Sequence, residues 1–292
     1  MSLRFKSELR LSLRMRSCQA ELLPAGWNTR PIAVASGSGE GASALTAALS
    51  ALRLADIEEL PRQAALTVAD EWLYYLLLDE DLGWSQALQE ATLRFAADLG
   101  RDDLRVQVTP LNHGERWLAV AAAEPDVAAW TEALALSGVQ LRSLNAALVE
   151  DLRRLAPQIP ENDAVLALLR EEGMSLVLIR DGLPTQLAWE RFDAADAVTM
   201  EQRLRAFVRS VPQADECVVY LLPESQALCR YVWGGGQNTG FGTAHGAVAG
   251  LVPAPLDGMP KPSTMPLGAR GAAASLQASA AGTASSGQGG AA

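Results

Sequence analysis

The sequence predicts an α/β (α+β) fold made of two similar lobes, and three observations carry that expectation. Residues 163–222 read as three short apolar runs, Ala164 to Leu169, Ser175 to Ile179 and Gln186 to Trp189, then a helix, then a further apolar run from Cys217 to Leu222. The same order of strand, strand, strand, helix, strand recurs about 150 residues earlier without residue identity, and a repeat of supersecondary units predicts two related lobes. The stretch between them fits neither copy and reads as an inserted α+β module. The expected division is a first lobe at 1–70, the module and a return to the first lobe at 71–144, a truncated second lobe at 145–233, and a disordered tail at 234–292.

Taken in order, Leu3 to Arg16 alternates with a period of two: Leu3, Phe5, Leu9, Leu11, Leu13 and Met15 on one side, Arg4, Lys6, Arg10, Arg14 and Arg16 on the other. That period is a strand and not an amphipathic helix. Its basic face is either a solvated face that resists edge pairing or a surface for an acidic partner, and the sequence leaves both open. A second strand, Gln19 to Leu23, turns at Pro24-Ala25-Gly26 into a third, Pro31 to Ala35. The Gly-rich Ser36 to Gly41 then leads to a helix from Ser43, with Leu45, Leu49 and Leu52 on one face, and to a strand from Ala65 to Ala69.

In the module, Trp72 to Leu78 is apolar and aromatic, and Trp84, Ala87, Leu88, Ala91 and Phe95 make one face of a helix ending near Gly100. Arg105 to Thr109 and Trp117 to Ala121 form a hairpin across Asn112-His113-Gly114. A helix with Pro125 in its first turn and Gly138 past its end carries Val127, Trp130 and Leu134 inward, and Val139 to Leu144 returns as a strand. The helix Asn145 to Ala156 bridges to the second half. There, Glu171-Glu172-Gly173 and Asp181-Gly182-Leu183-Pro184 supply turn chemistry between the three strands. Thr199 with Gln202 reads as a capping box, and Met200, Leu204, Phe207, Val208 and Val211 form one helical face.

Composition bounds the function. The chain of 292 residues is 49% apolar with a net charge of −10, which argues against a nucleic-acid partner. No run of about 18 apolar residues occurs and the first residues lack a signal-peptide pattern, so neither a membrane span nor secretion is expected, and the expected compartment is the cytoplasm. Cys18, Cys217 and Cys229 are odd in number and widely spaced, as reduced thiols are. Lys6 and Lys261 are the only lysines, the Arg bias of a GC-rich bacterial genome. From Gly234 onward Gly, Ala, Ser and Pro dominate without apolar period, which predicts a disordered tail.

The strongest chemical motif is Gly37-Ser38-Gly39-Glu40-Gly41 between strand and helix, where amides can cradle a phosphate, with Asp70 ending the next strand as a ribose-binding acid would. Its spacing is not GxGxxG, and two antiparallel strands precede it. Neither a GxxxxGK[ST] nor a GxSxG is present. His113 and His245 are too isolated for a triad or a metal cluster. The pairs Asp79 to Asp81, Asp102-Asp103 and Glu171-Glu172 read as solvated turns.

The two βββαβ halves, the insertion, and the passage Trp117 to Ala123, helix Asp126 to Ser137, Gly138-Val139 resemble the actin-like cytoplasmic proteins of type IV pilus and type II secretion platforms, the PilM and GspL families. The resemblance implies actin- or ribonuclease-H-like lobes and a cytoplasmic scaffold, peripheral to the inner membrane through its partners. Those are a membrane platform protein whose extended segment lies between the first lobe and the module, and an assembly ATPase. Trp72, Tyr74 and Tyr75, with Arg10 and Arg14 beside them, are the residues it assigns to that partner. Nucleotide sites of actin-like folds use two hairpins with an acid and glycines. Here the first offers Leu13-Arg14-Met15-Arg16-Ser17, the second Arg170-Glu171-Glu172-Gly173-Met174, and Leu221-Leu222-Pro223-Glu224 replaces a Gly-Gly turn. No cofactor and no catalysis are therefore expected; the alternative is a nucleotide-dependent enzyme of the actin-like or Rossmann-like class with divergent motifs.

Overall fold

Alternation of apolar and polar residues fixes the first strand, β1 (Glu8–Leu13): Leu9, Leu11 and Leu13 are buried while Arg10 and Ser12 face out. The computed structural model describes residues 7–25, 30–55, 60–78, 82–111, 116–191, 197–211, 217–223, 228–231 and 251–253. Leu3 and Phe5, the Gly26 turn, the Asp79 to Asp81 pair, the Asn112-His113-Gly114 turn and His245 lie outside these residues.

β1 joins β2 (Ser17–Leu23), β3 (Ala33–Ser38), β4 (Gln63–Val68) and β8 (Gln140–Ala146) in a five-stranded sheet of order β3-β2-β1-β4-β8, in which β1, β4 and β8 run parallel. Helices α1 (Ala42–Arg53) and α3 (Glu124–Leu136) cover one face, packing Leu45, Leu49, Leu52, Trp130 and Leu134 on the inward leucines of β1. Burial pushes the Cys18 thiol up to about 12, so it serves here as a small apolar side chain. Gly37 is where β3 touches α1: a Cβ there would lie 2.2 Å from the Ala48 nitrogen and 2.5 Å from the Ala44 oxygen. Gly37 thus answers to strand–helix packing.

β5 (Leu73–Leu78), β6 (Leu104–Leu111) and β7 (Arg116–Ala123) make a separate antiparallel sheet of order β5-β7-β6. Helix α2 (Trp84–Leu99) packs Ala87, Ala91 and Phe95 on its one face and ends at Gly100, whose φ of 64° suits glycine. Trp84 differs from expectation: it is 57% exposed, because it is the first residue of α2, nearly a turn before Ala87 reaches the sheet. The opposite face of β5 straddles the molecule, with Leu73 against the first lobe's core and Tyr75 against the second's.

In the second lobe β9 (Ala164–Leu169), β10 (Gly173–Arg180), β11 (Leu183–Arg191) and β12 (Val218–Leu222) take the order β11-β10-β9-β12, with β9 and β12 parallel. This reproduces β3-β2-β1-β4, so the repeat in the sequence is a repeat in topology. Its sheet is covered on both faces, by α5 (Ala197–Ser210) through Met200, Leu204, Phe207 and Val208, and by α4 (Ala147–Leu155) through Leu148 and Leu155. That burial explains the nearly unbroken apolar runs of β9 and β10. α5 begins at Ala197, two residues before Thr199, which therefore lies inside its first turn and not at the position before it. Beyond β12 the sheet continues through β13 (Cys229–Tyr231) and β14 (Leu251–Pro253), the latter inside the stretch that composition reads as tail. The rest of the predicted tail, 234–250 and 254–292, lies outside the described residues.

Candidate interlobe site

Two equivalent hairpins face each other across the lobes. Arg14 N–H donates to the Ser17 carbonyl at 2.8 Å to close the β1–β2 turn, and Arg170 N–H donates to the Gly173 carbonyl at 2.8 Å to close the β9–β10 turn. The turns are stapled directly. Arg16 N–H donates to Glu171 Oε2 at 2.9 Å, and the Arg16 guanidinium donates to Glu172 Oε1 through Nε at 3.1 Å and Nη2 at 2.9 Å. Arg191 Nη2 donates to the other oxygen of Glu172 at 2.8 Å. Both guanidinium groups are exposed while the Glu172 carboxylate between them is shielded.

Beneath this staple lies Asp70, in a single 3₁₀ turn (Asp70–Trp72) after β4 and only 3% exposed. Its Oδ1 accepts the Tyr75 hydroxyl at 2.6 Å and the Leu148 amide at 3.0 Å; its Oδ2 accepts Arg170 Nε at 2.6 Å and the Ser175 hydroxyl at 2.5 Å. One carboxylate from the first lobe therefore holds the module, the first turn of α4 and the second lobe. The Leu148 amide is one of the helix-start donors without an intrahelical partner, and a negative charge there is favourable. Asp151 Oδ2 sits 2.9 Å from Arg170 Nη2. Burial opposes the charge on Arg170, but Asp70 and Asp151 outweigh it and hold the guanidinium above its ordinary range. Burial, together with the charge and hydrogen bond of Asp70, holds the Tyr75 hydroxyl far above its ordinary value. Glu71 is raised by burial and by its neighbour Asp70, against a 3.3 Å bond from the Glu172 amide.

Asp70 lies in the lobe junction, with both oxygens engaged, and is not placed as a ribose-binding acid. In the Gly-rich turn, Gly39 N–H donates to the Arg16 carbonyl at 3.1 Å and Glu40 N–H to Ser43 Oγ at 3.0 Å, so these two loop amides already have acceptors.

The five residues assigned to a partner separate into two groups. Trp72 packs against the first lobe's core: its ring stands edge-on to Trp130 at 5.8 Å and its Nε1 donates to the Arg14 carbonyl at 3.2 Å. Tyr75 spends its hydroxyl on Asp70 and packs on the second lobe. These two and the Arg14 backbone therefore surround the junction. Tyr74, 38% exposed, points to the opposite face of β5, and Arg10 pairs with Glu8 at 3.0 Å on the outer face of β1. Sequence reasoning missed Arg16, Arg170, Glu172, Ser175 and Arg191. The available signal was the opposite charge of the two hairpin turns, Arg14 and Arg16 in one copy of the repeat against Glu171 and Glu172 in the other.

The fold is actin-like. A Bacteroides thetaiotaomicron protein described as having an actin-like ATPase fold and unknown function is similar over 73% of this chain and 78% of its own, with a TM-score of 0.51 and 10% identity. Similar structures also include the cytoplasmic domain of EpsL, an inner-membrane component of the type II secretion system of Vibrio cholerae. It has a TM-score of 0.44 and 15% identity, over 76% of this chain and 79% of that one. A chain of the PilM–PilN type IV pilus biogenesis complex has a TM-score of 0.44 and 18% identity, over 72% of this chain and 68% of that one. No family model and no curated protein matches the sequence. Among the described residues no helix is long and apolar enough to cross a membrane.

Proposed function

We propose that this chain is a non-catalytic scaffold in which an actin-like body has exchanged its nucleotide for an internal staple. The supporting observation is the direct bonding of hairpin to hairpin, Arg16 to Glu171 and Glu172, at the position where actin-like proteins approach phosphate. The partner class follows from the sequence resemblance: the cytoplasmic segment of an inner-membrane platform protein of a type IV pilus or type II secretion assembly, with an assembly ATPase as a second contact. The scaffold works in the cytoplasm and meets the membrane through that partner. Tyr74 is the aromatic residue of the assigned trio that stays accessible, on β5 beside Arg101, and it anchors the segment.

Thermal denaturation with millimolar ATP and Mg²⁺ tests the loss of nucleotide binding, since a ligand selective for the native state raises its stability by mass action. No shift is expected, and a clear rise overturns the reading. Tyr74→Ala is expected to keep the wild-type melting temperature and to lose capture of the platform segment; normal capture moves the docking site elsewhere.

A further inference from the structure

Edge strands expose a row of backbone donors and acceptors, and most carry a charge, a proline or a bulge that prevents pairing with another chain. The described edges here follow that practice, with one exception. β6 has Arg105 and Pro110; β8 has Arg142 and a register shift against β4; β11 has Pro184, Glu190 and Arg191; β14 ends in Pro253. The free edge of β5 is turned toward β11. β3 is the exception: Ala33–Ser38 holds neither charge nor proline and pairs with β2 in unbroken register. Its outer side chains include Val34, 53% exposed, after Ile32 at 63%.

The neutral surface extends beyond the strand. From Pro31 to Leu52 the one charged residue is Glu40, in a chain whose net charge is −10. α1 lies over β3 and β2 at this edge, with α3 on its other flank, and the side chains it exposes before Arg53 are Ser43, Thr46 and Ser50. A solvated helix ordinarily carries charge on that face. Small side chains allow another helix to approach closely.

From this we infer that two copies of the chain associate through β3, antiparallel, so that their five-stranded sheets become one continuous sheet with α1 packed beside its symmetry mate. The second copy is the occupant that the charge distribution favours. Most faces of an acidic molecule repel their own image, whereas this one brings neutral strand to neutral strand and neutral helix to neutral helix. Antiparallel pairing about a two-fold axis is self-complementary and closes, so the product is a dimer.

The test is the mass in solution of the full chain by light scattering. Wild type is expected at twice 31.0 kDa. Val34→Lys, which places a gatekeeper charge on the strand, and Ser50→Glu, which charges the helix face, are each expected at the monomer mass with wild-type circular dichroism. The wild-type dimer is expected to persist from ~0.1 M to ~1 M NaCl, over which the screening length falls from ~10 Å to ~3 Å, because Ala33–Ser38 and Ala42–Ser50, which meet in it, hold no charged side chain. A wild-type monomer at the highest concentration reached, an assembly larger than a dimer, a dimer that dissolves in salt, or one that survives both substitutions overturns the proposal.

Discussion

Asp70 accepts four hydrogen bonds, from groups in the module, in α4 and in the second lobe, and two of those donors are Arg170 and Ser175. Removing the charge while keeping the shape leaves Arg170 buried with Asp151 as its remaining counter-ion. Asp70→Asn is therefore expected to cost about 3–5 kcal/mol, the range for breaking one side of a buried pair, measured by urea denaturation. Its neighbour behaves in the opposite sense. The folded pKa of Glu71 is raised by burial above the ordinary 4.5, so the native state takes up a proton as pH falls. Ionised Glu71 thus weakens the fold at neutral pH, and that penalty fades as pH falls through the folded pKa toward 4.5. Glu71→Gln is expected to raise the melting temperature at pH 7 and to lose that advantage near pH 4.5; an equal effect at both values contradicts the assignment.

At the scale of the element, the strands and helices were legible because each announces one buried face through local period. The leucines of β1 and the apolar face of α5 are where periodicity puts them. Register and the node at Asp70 were not legible. Arg16 and Glu172 stand 156 residues apart, and only the docking of the lobes makes them neighbours. Short-range chemistry misled twice: Thr199 offers a cap to a helix that starts before it, and Leu251–Pro253 finds a strand partner within a compositionally weak stretch. Gly37 misled as well, since a glycine needed for close packing reads like one needed for phosphate. Gly37→Ala is expected to push β3 off α1 and to cost about 1–3 kcal/mol, the range for overpacking a tight contact, by urea denaturation.

For the whole molecule, the lobes are joined by a shielded latch at Asp70 and an exposed staple at Arg16, Glu172 and Arg191. Salt screens the second far more than the first. Hydrogen exchange at residues 14–17 and 170–173 is therefore expected to quicken in high salt or on Glu172→Gln, with global stability changed by no more than about 1 kcal/mol, as exposed ion pairs contribute little. A large loss of stability would place the main lobe-to-lobe attachment in the staple. The latch also has a history in time. Arg170 lies 100 residues after Asp70, so at roughly 5–20 residues per second a ribosome delivers the acid about 5–20 s before its guanidinium. During synthesis the first lobe therefore waits with its docking face wet until Arg170 has been made.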